Sequence, residues 1–281
     1  MLASRVRMRT WGGWRGPVAA STAALFAVPL VLMLTGSLRR AGAPPPRTPE
    51  LLPDPIVLGN YSRAFELVDL GRFAFNSLLV AAIAVPLAVL VASWAGFALS
   101  QLRGRIESVV VALSLVALMV PLTALLVPRF ALFKTLGLTN TYVPLIAPAL
   151  VGMSPFYALV YWWSFRRLPR ELFDAATIDG STPFQTWSRV GMPLSRGTTA
   201  AVALLAFIFT WGNFLDPLIY VFDRELFTLP LGLKSLAQLD PANYPLLLAG
   251  SVVATAPVVA AFLVAQRFFL HEDKGGAWLG H

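Results

Sequence analysis

Residues 73–100 read FAFNSLLVAAIAVPLAVLVASWAGFALS, and no Asp, Glu, Lys or Arg interrupts the run from Phe73 to Ser100. A helix needs about 20 apolar residues to cross a bilayer. Hydrocarbon offers no water to bond peptide groups, so such a run must satisfy its own amides and carbonyls as a helix. A membrane β-barrel would show short alternating segments instead.

Working outward, the same reading gives about six spans, at 17–38, 73–100, 108–127, 142–165, 198–220 and 244–269. In the last five, the only charges are Asp216 and Arg267, both near span ends. Pro29, Pro86, Pro121, Pro148, Pro155 and Pro257 fall within spans and predict kinks, although proline is also common in membrane helices. The first span follows Arg5, Arg7, Arg9 and Arg15 and precedes Ala41-Gly42-Ala43, as a signal peptide would. Its apolar stretch exceeds the roughly 7–15 residues of a signal core, which favours an uncleaved span.

Composition agrees. Of 281 residues, 57% are hydrophobic and 13% charged, and the mean hydropathy is +0.70. Soluble domains average about 25% charge. A water-soluble globule could not cover so much hydrocarbon, and disorder is excluded more strongly. The net charge of +8 comes from Lys and Arg placed between apolar blocks, which points to membrane topology rather than nucleic acid. Thirteen of these fall on the side that includes the N-terminus and nine on the other, favouring cytoplasmic N- and C-termini. There is no cysteine, and the two histidines, His271 and His281, lie in the tail. No metal-ligand cluster or nucleophile–base set is evident, so no metal site and no enzyme activity are expected.

The connecting segments divide into three kinds. Arg39–Arg72 opens with Ala43-Pro44-Pro45-Pro46, adds Pro49, Pro53 and Pro55, and reads as a stiff polyproline-like connector. Val221–Asn243 has mixed charge and reads either as a docking surface or as a solvated loop. The segment 166–197 is the long hydrophilic stretch on the N-terminal side of the membrane. In it, Pro169 suits a first helical position and Glu171 a first turn. Arg167 with Glu171, and Arg170 with Asp174, are spaced to pair. Gly180 is placed to end the helix in a left-handed conformation. Thr182-Pro183-Phe184-Gln185 then reads as a capping box opening a second helix. The prediction is helix, glycine hinge, helix, lying outside the membrane. Its acidic edge at Glu171, Asp174 and Asp179 favours a protein partner over an anionic lipid surface.

Asp174-Ala175-Ala176, three residues, Gly180, nine residues, Val190, one residue, Met192-Pro193 resembles the EAA loop of ABC importer permeases. That pattern is Glu-Ala-Ala, three, Gly, nine, Ile, one, Leu-Pro. The departures at 174, 190 and 192 are conservative and the spacing is intact. Asn76–Ala81, Ala95–Ser100, Trp211–Leu218, Ala249–Ser251, Gln266–Phe269 and Gly276–Gly280 resemble the carbohydrate-importer group of that family, of maltose and glycerol-3-phosphate type.

The resemblance implies an all-α polytopic membrane protein with the type I ABC importer permease fold, one permease domain over 1–281. It implies an importer of sugars or related carbohydrates, set in the bacterial inner membrane. It implies two separate ATP-binding subunits that hold ATP and Mg, a second homologous permease subunit and an extracytoplasmic solute-binding protein. This chain has no Gly-x-x-x-x-Gly-Lys-Ser/Thr loop and carries no cofactor in that reading. Asp174, Ala175, Ala176 and Gly180 would form the coupling core, Glu171 and Asp179 would meet basic groups on the ATPase, and Pro193 would close the loop. Asn213 and Asp216 are candidates for the solute path, because polar groups within a membrane usually face a cavity or another helix. Simple solvation of Asp216 near the outer boundary is the competing reading. Trp162 and Trp163 read as interfacial anchors. The alternative function is a secondary transporter or channel not driven by ATP, which would place an ionisable or broken-helix site at mid-membrane.

Overall fold

A computed structural model describes residues 12–45 and 52–275. Arg5, Arg7, Arg9, Pro46, Arg47, Pro49, His281 and the stretch Gly276–Gly280 lie outside the described residues, as do the side chains of Arg15, Phe269, His271 and Lys274.

All regular structure among the described residues is helical. In order the helices are α1 (Gly12–Ser37), α2 (Gly59–Leu67), α3 (Leu70–Gln101), α4 (Gly104–Leu118), α5 (Leu126–Thr135), α6 (Val143–Ile146), α7 (Pro155–Arg166), α8 (Arg170–Ile178), α9 (Pro183–Thr186), α10 (Met192–Leu194), α11 (Arg196–Trp211), α12 (Leu215–Tyr220), α13 (Leu229–Leu239) and α14 (Tyr244–Gly275). Four stretches are long and apolar enough to cross a membrane, Gly16–Ser37, Leu70–Gln101, Val143–Arg166 and Tyr244–Phe268. Two bent pairs raise the number to as many as six.

Three expected spans are not straight rods: in the run 142–165 a 3₁₀ stretch ends at Gly152, φ 73, before α7 starts at Pro155. The run 108–127 stops at Leu118, and Leu122–Thr135 departs at 82°. Pro121 at this break is extended, with ψ 131. It has no N–H to give and biases the residue before it out of the helical region. The run 198–220 stops at Trp211 and resumes at Leu215. There Gly212 favours helix least, and the Asn213 carboxamide oxygen accepts the amide of Asp216 at 3.2 Å in place of a helical carbonyl. Pro29, Pro86 and Pro257, by contrast, lie inside continuous helices.

The connectors are more ordered than their composition suggests. Arg39–Arg72 is not polyproline-like throughout, since it carries α2, where Asn60 and Ala64, one turn apart, are both buried. Val221–Asn243 carries a turn of 3₁₀ helix at Arg224–Leu226 and then α13, which buries Leu229, Leu231 and Leu236.

The chain clusters into two compact units. One is Met1–Leu67 with Leu236–Val253. Within it the Asn60 amide donates to the carbonyls of Ser37 at 2.8 Å and Arg39 at 2.7 Å, and the Gly42 amide donates to Asn243 at 3.0 Å. The other is Val68–Ser235 with Ala254–His281. Its centre is α3, which packs on α7 and α11. Ala84, Ala88 and Ala92, spaced one turn apart, are fully buried. Gly96 continues this row, and a Cβ there would meet the Ala158 carbonyl at 2.6 Å and the Trp162 amide nitrogen at 2.8 Å. Small residues in a row let two helix backbones approach, and packing in lipid depends on that approach.

Candidate functional site

Two places in the larger unit collect the candidate residues. The first is the segment 166–197. Leu168-Pro169 ends α7's path, with Pro169 extended at ψ 131 as the N-cap of α8 rather than its first helical residue. At the other end Gly180 takes φ +77. The Ser181 amide donates to the Ala176 carbonyl at 2.9 Å and the Gly180 amide to Thr177 at 3.0 Å. That hydrogen-bond pair is a Schellman closure, and it needs a residue without a Cβ penalty at 180. Thr182 and Gln185 then form a reciprocal capping box for α9, the Gln185 amide donating to Thr182 at 3.3 Å and the Thr182 amide to the Gln185 side chain at 2.8 Å.

Beyond α9 the backbone widens into a π turn at Trp187–Gly191. In a continuous α-helix the Pro193 ring would collide with the Arg189 carbonyl, and the wider turn absorbs that misfit. Pro193 therefore sits on α10, apart from the cluster on α8.

On α8 itself, Glu171, Asp174, Ala175, Asp179 and Gly180 are exposed and Ala176 is buried. Ile178 is 86% exposed, although it is one of the most apolar residues of the helix. Among the described residues no ion pair joins Arg167 to Glu171 or Arg170 to Asp174. The Arg167 guanidinium instead lies over the Trp163 ring, 3.4 Å from its centroid. Planar guanidinium on an indole face is a favourable cation–π contact, which outbids an exposed carboxylate.

The back of this segment is held by aromatic rings that sequence reasoning missed. Trp94 and Phe97 on α3 are three residues apart and share a face. Phe97 meets Phe165 edge-on at 5.7 Å and Phe173 of α8 at 6.1 Å. Trp94 meets Phe184 at 5.7 Å and Trp187 edge-on at 5.2 Å. Nearby, Glu107 of α4 pairs with Arg166 at 3.4 Å and accepts the Trp162 indole N–H at 3.0 Å. Trp162 is thus tied into the protein, beyond a simple interfacial anchor.

The second place is a cavity of about 430 Å³ where α5, α11 and α12 meet. Its walls include Phe209 and Phe214, and its polar groups are Thr123, Arg129, Asn213 and Asp216. The structure brings Asn213 and Asp216 together, the Asn213 amide donating to the carboxylate at 2.9 Å. Arg129 completes the cluster with a two-pronged pair, Nη1 to Oδ1 at 3.2 Å and Nη2 to Oδ2 at 3.3 Å. The Asp216 side chain is only 9% exposed and that of Arg129 23%. Solvation of Asp216 is therefore the wrong picture: its charge is met inside the protein. The sequence held one clue to Arg129, a lone cation flanked by Leu126-Val127-Pro128 and Phe130-Ala131-Leu132-Phe133. Such a cation usually has a partner.

Beyond α12, Asn140 at φ 60 clamps the loop that begins at Val221. Its side-chain oxygen accepts the amides of Phe222 at 3.0 Å and Asp223 at 2.9 Å. The Asn76 side-chain amide donates to the carbonyls of Glu225 and Phe227, at 2.8 and 2.9 Å. Among the described residues no group of three or more His, Cys, Asp or Glu is placed to hold a metal ion.

Residues 67–272 match the profile of a family described as binding-protein-dependent transport system inner membrane component. The arabinooligosaccharides transport system permease protein AraQ of Halalkalibacterium halodurans is 36% identical over 219 residues, 78% of this chain and 78% of that protein. The lactose transport system permease protein LacG of Rhizobium radiobacter is 32% identical over 216 residues, 77% of this chain and 78% of that one. In structure, the chain is similar to one from the crystal structure of a bacterial ABC transporter involved in the import of the acidic polysaccharide alginate. The TM-score is 0.71 at 21% identity, covering 90% of this chain and 96% of that one, a likeness of fold.

Proposed function

The chain belongs to the family of inner membrane components of binding-protein-dependent transport systems, and from that premise we propose that it is a sugar-importing permease worked from outside by a separate ATPase. In this reading α8 is the coupling helix and seats in a cleft of one ATP-binding subunit. Asp174, Ala175 and Gly180 form the core of the contact with Ala176 packed behind them, Glu171 and Asp179 face basic groups on the ATPase, and Pro193 closes the loop. Two such ATPase subunits bind ATP and Mg, a second homologous permease completes the pathway, and a solute-binding protein delivers cargo on the outer side. Both termini and the segment 166–197 are cytoplasmic. Asn213 and Asp216 belong to the solute path, within the cavity that Arg129 also lines. The cargo is a neutral sugar or short oligosaccharide, as the names of AraQ and LacG suggest for their own transporters.

The observation that carries this reading is the contrast between the two sides of α8. Phe173 and Ala176 anchor its back, while Ile178 stands 86% exposed beside Asp174, Ala175 and Asp179. An apolar residue so presented on a rigidly capped helix is suited to an acceptor groove. The test is Ile178→Asp in the assembled transporter. Loss of the ATPase on co-purification, with membrane insertion intact, is the expected result. Full retention of the ATPase, or uptake of labelled arabinotriose or lactose by vesicles that contain the chain but no nucleotide, overturns it.

A further inference from the structure

We propose that Trp94 and Phe97 of α3 are the joint through which movement of α8 reaches the membrane helices, with Trp94 as the positioning residue. This rests on the coupling reading of α8 and adds what lies behind it.

A docked helix moves solute only if its displacement is passed on. α8 is short and covalently linked to α7 through Arg167-Leu168-Pro169 and to α9 through the Gly180 hinge, so chain connectivity alone transmits little. The rings supply a second route. Trp94 and Phe97 form two jaws on one face of α3. Phe97 grips α8 through Phe173, with centroids 6.1 Å apart. Trp94 grips the far side of the hinge through Phe184 at 5.7 Å and Trp187 at 5.2 Å, and Phe184 and Trp187 also touch each other at 5.3 Å. Both helices that flank Gly180 are therefore fastened to the same turn of α3. A push on either has to turn the hinge or carry α3 with it.

Two features make this a joint rather than ordinary core. Trp187 is buried, yet its indole N–H has no hydrogen-bond partner among the described residues. Its ring is held by contact alone, and ring contacts are non-directional enough to survive a rotation. Trp94 is 40% exposed and Phe184 60% exposed, so neither is a keystone of the fold. Meanwhile α3 lies backbone to backbone against α7 at Gly96, within one turn of Trp94 and Phe97. Whatever displaces the Trp94 turn is delivered to the pair as a rigid body.

The chain has no cysteine, so one introduced in the cavity reports on it without background from the chain itself. Leu122→Cys lines the cavity and is 57% exposed as leucine. In the assembled transporter its rate of labelling by a membrane-impermeant maleimide is followed with and without a non-hydrolysable ATP analogue. The expected result is a change of about fivefold or more on nucleotide binding. Trp94→Ala should reduce the change to less than about twofold while the ATPase stays bound, and Trp94→Phe should restore most of it. Phe184→Ala, at a more exposed position, should repeat the effect if Trp94→Ala fails to insert. A full nucleotide response in both Trp94→Ala and Phe184→Ala overturns the joint and leaves the docking of α8 standing. Release of the ATPase by either variant also overturns it, since the rings would then belong to the docking surface. Retention of the ATPase in Ile178→Asp removes the coupling reading itself.

Discussion

The coupling segment and the cavity are built on opposite plans. In the first, Glu171, Asp174, Ala175, Asp179 and Gly180 lie within ten positions of one another and are exposed, with Ile178 at 86% exposure. In the second, Arg129 and Asp216 are 87 positions apart and the acid is 9% exposed. The first resists little when altered, because its residues touch few others; its importance is in what it meets. The second is costly to disturb, because each charge is held out of water by the other. Function can therefore be lost in the first without loss of fold, whereas in the second the two go together.

The largest effect expected is at the buried pair. Asp216→Ala strands the Arg129 guanidinium and should cost about 3–5 kcal/mol. Arg129→Met combined with Asp216→Leu should recover most of it, because two apolar groups carry no unmet charge. Thermal unfolding of the purified complex measures both, and a cost below about 1 kcal/mol for the single variant would erase the contrast. Gly180→Val comes next. A β-branched residue at φ +77 costs about 1–2 kcal/mol, spent within an exposed hinge. Insertion and unfolding temperature should hold nearly constant while solute moved per ATP falls, and unchanged uptake with unchanged ATPase association would count against the coupling role. The smallest effect separates distance from burial. Arg72 and Glu225 pair at 2.9 Å across 153 positions, but Glu225 is 74% exposed. Glu225→Gln should change stability by about 0–1 kcal/mol, less as salt rises. A loss as large as that of Asp216→Ala would mean that sequence separation, not burial, sets the cost.

This contrast also explains what could be read in advance. Helix start and stop signals act over three to six residues, so Gly180, Thr182 and Gln185 announce their geometry directly. The apolar runs announce helices because hydrocarbon permits little else. The breaks after Leu118 and Trp211 were less legible. Pro121 ends a helix, yet Pro86 and Pro257 do not, and only the neighbouring packing decides between them. The aromatic grip of Trp94 on Phe184 and Trp187, and the ion pair of Arg129 with Asp216, depend on tertiary approach and have no local signature. Asp216 was visible as a candidate, but its partner was not.

One consequence remains in the seam at Gly96. The Ala158 carbonyl and the Trp162 nitrogen lie so near that even a methyl group would collide there. Sliding α7 along α3 by one turn would bring Ala92 or Ser100 to that spot, each with a Cβ where none fits, so sliding is blocked in either direction. Evolution of a wider or narrower passage through this scaffold is thus steered away from the α3–α7 border.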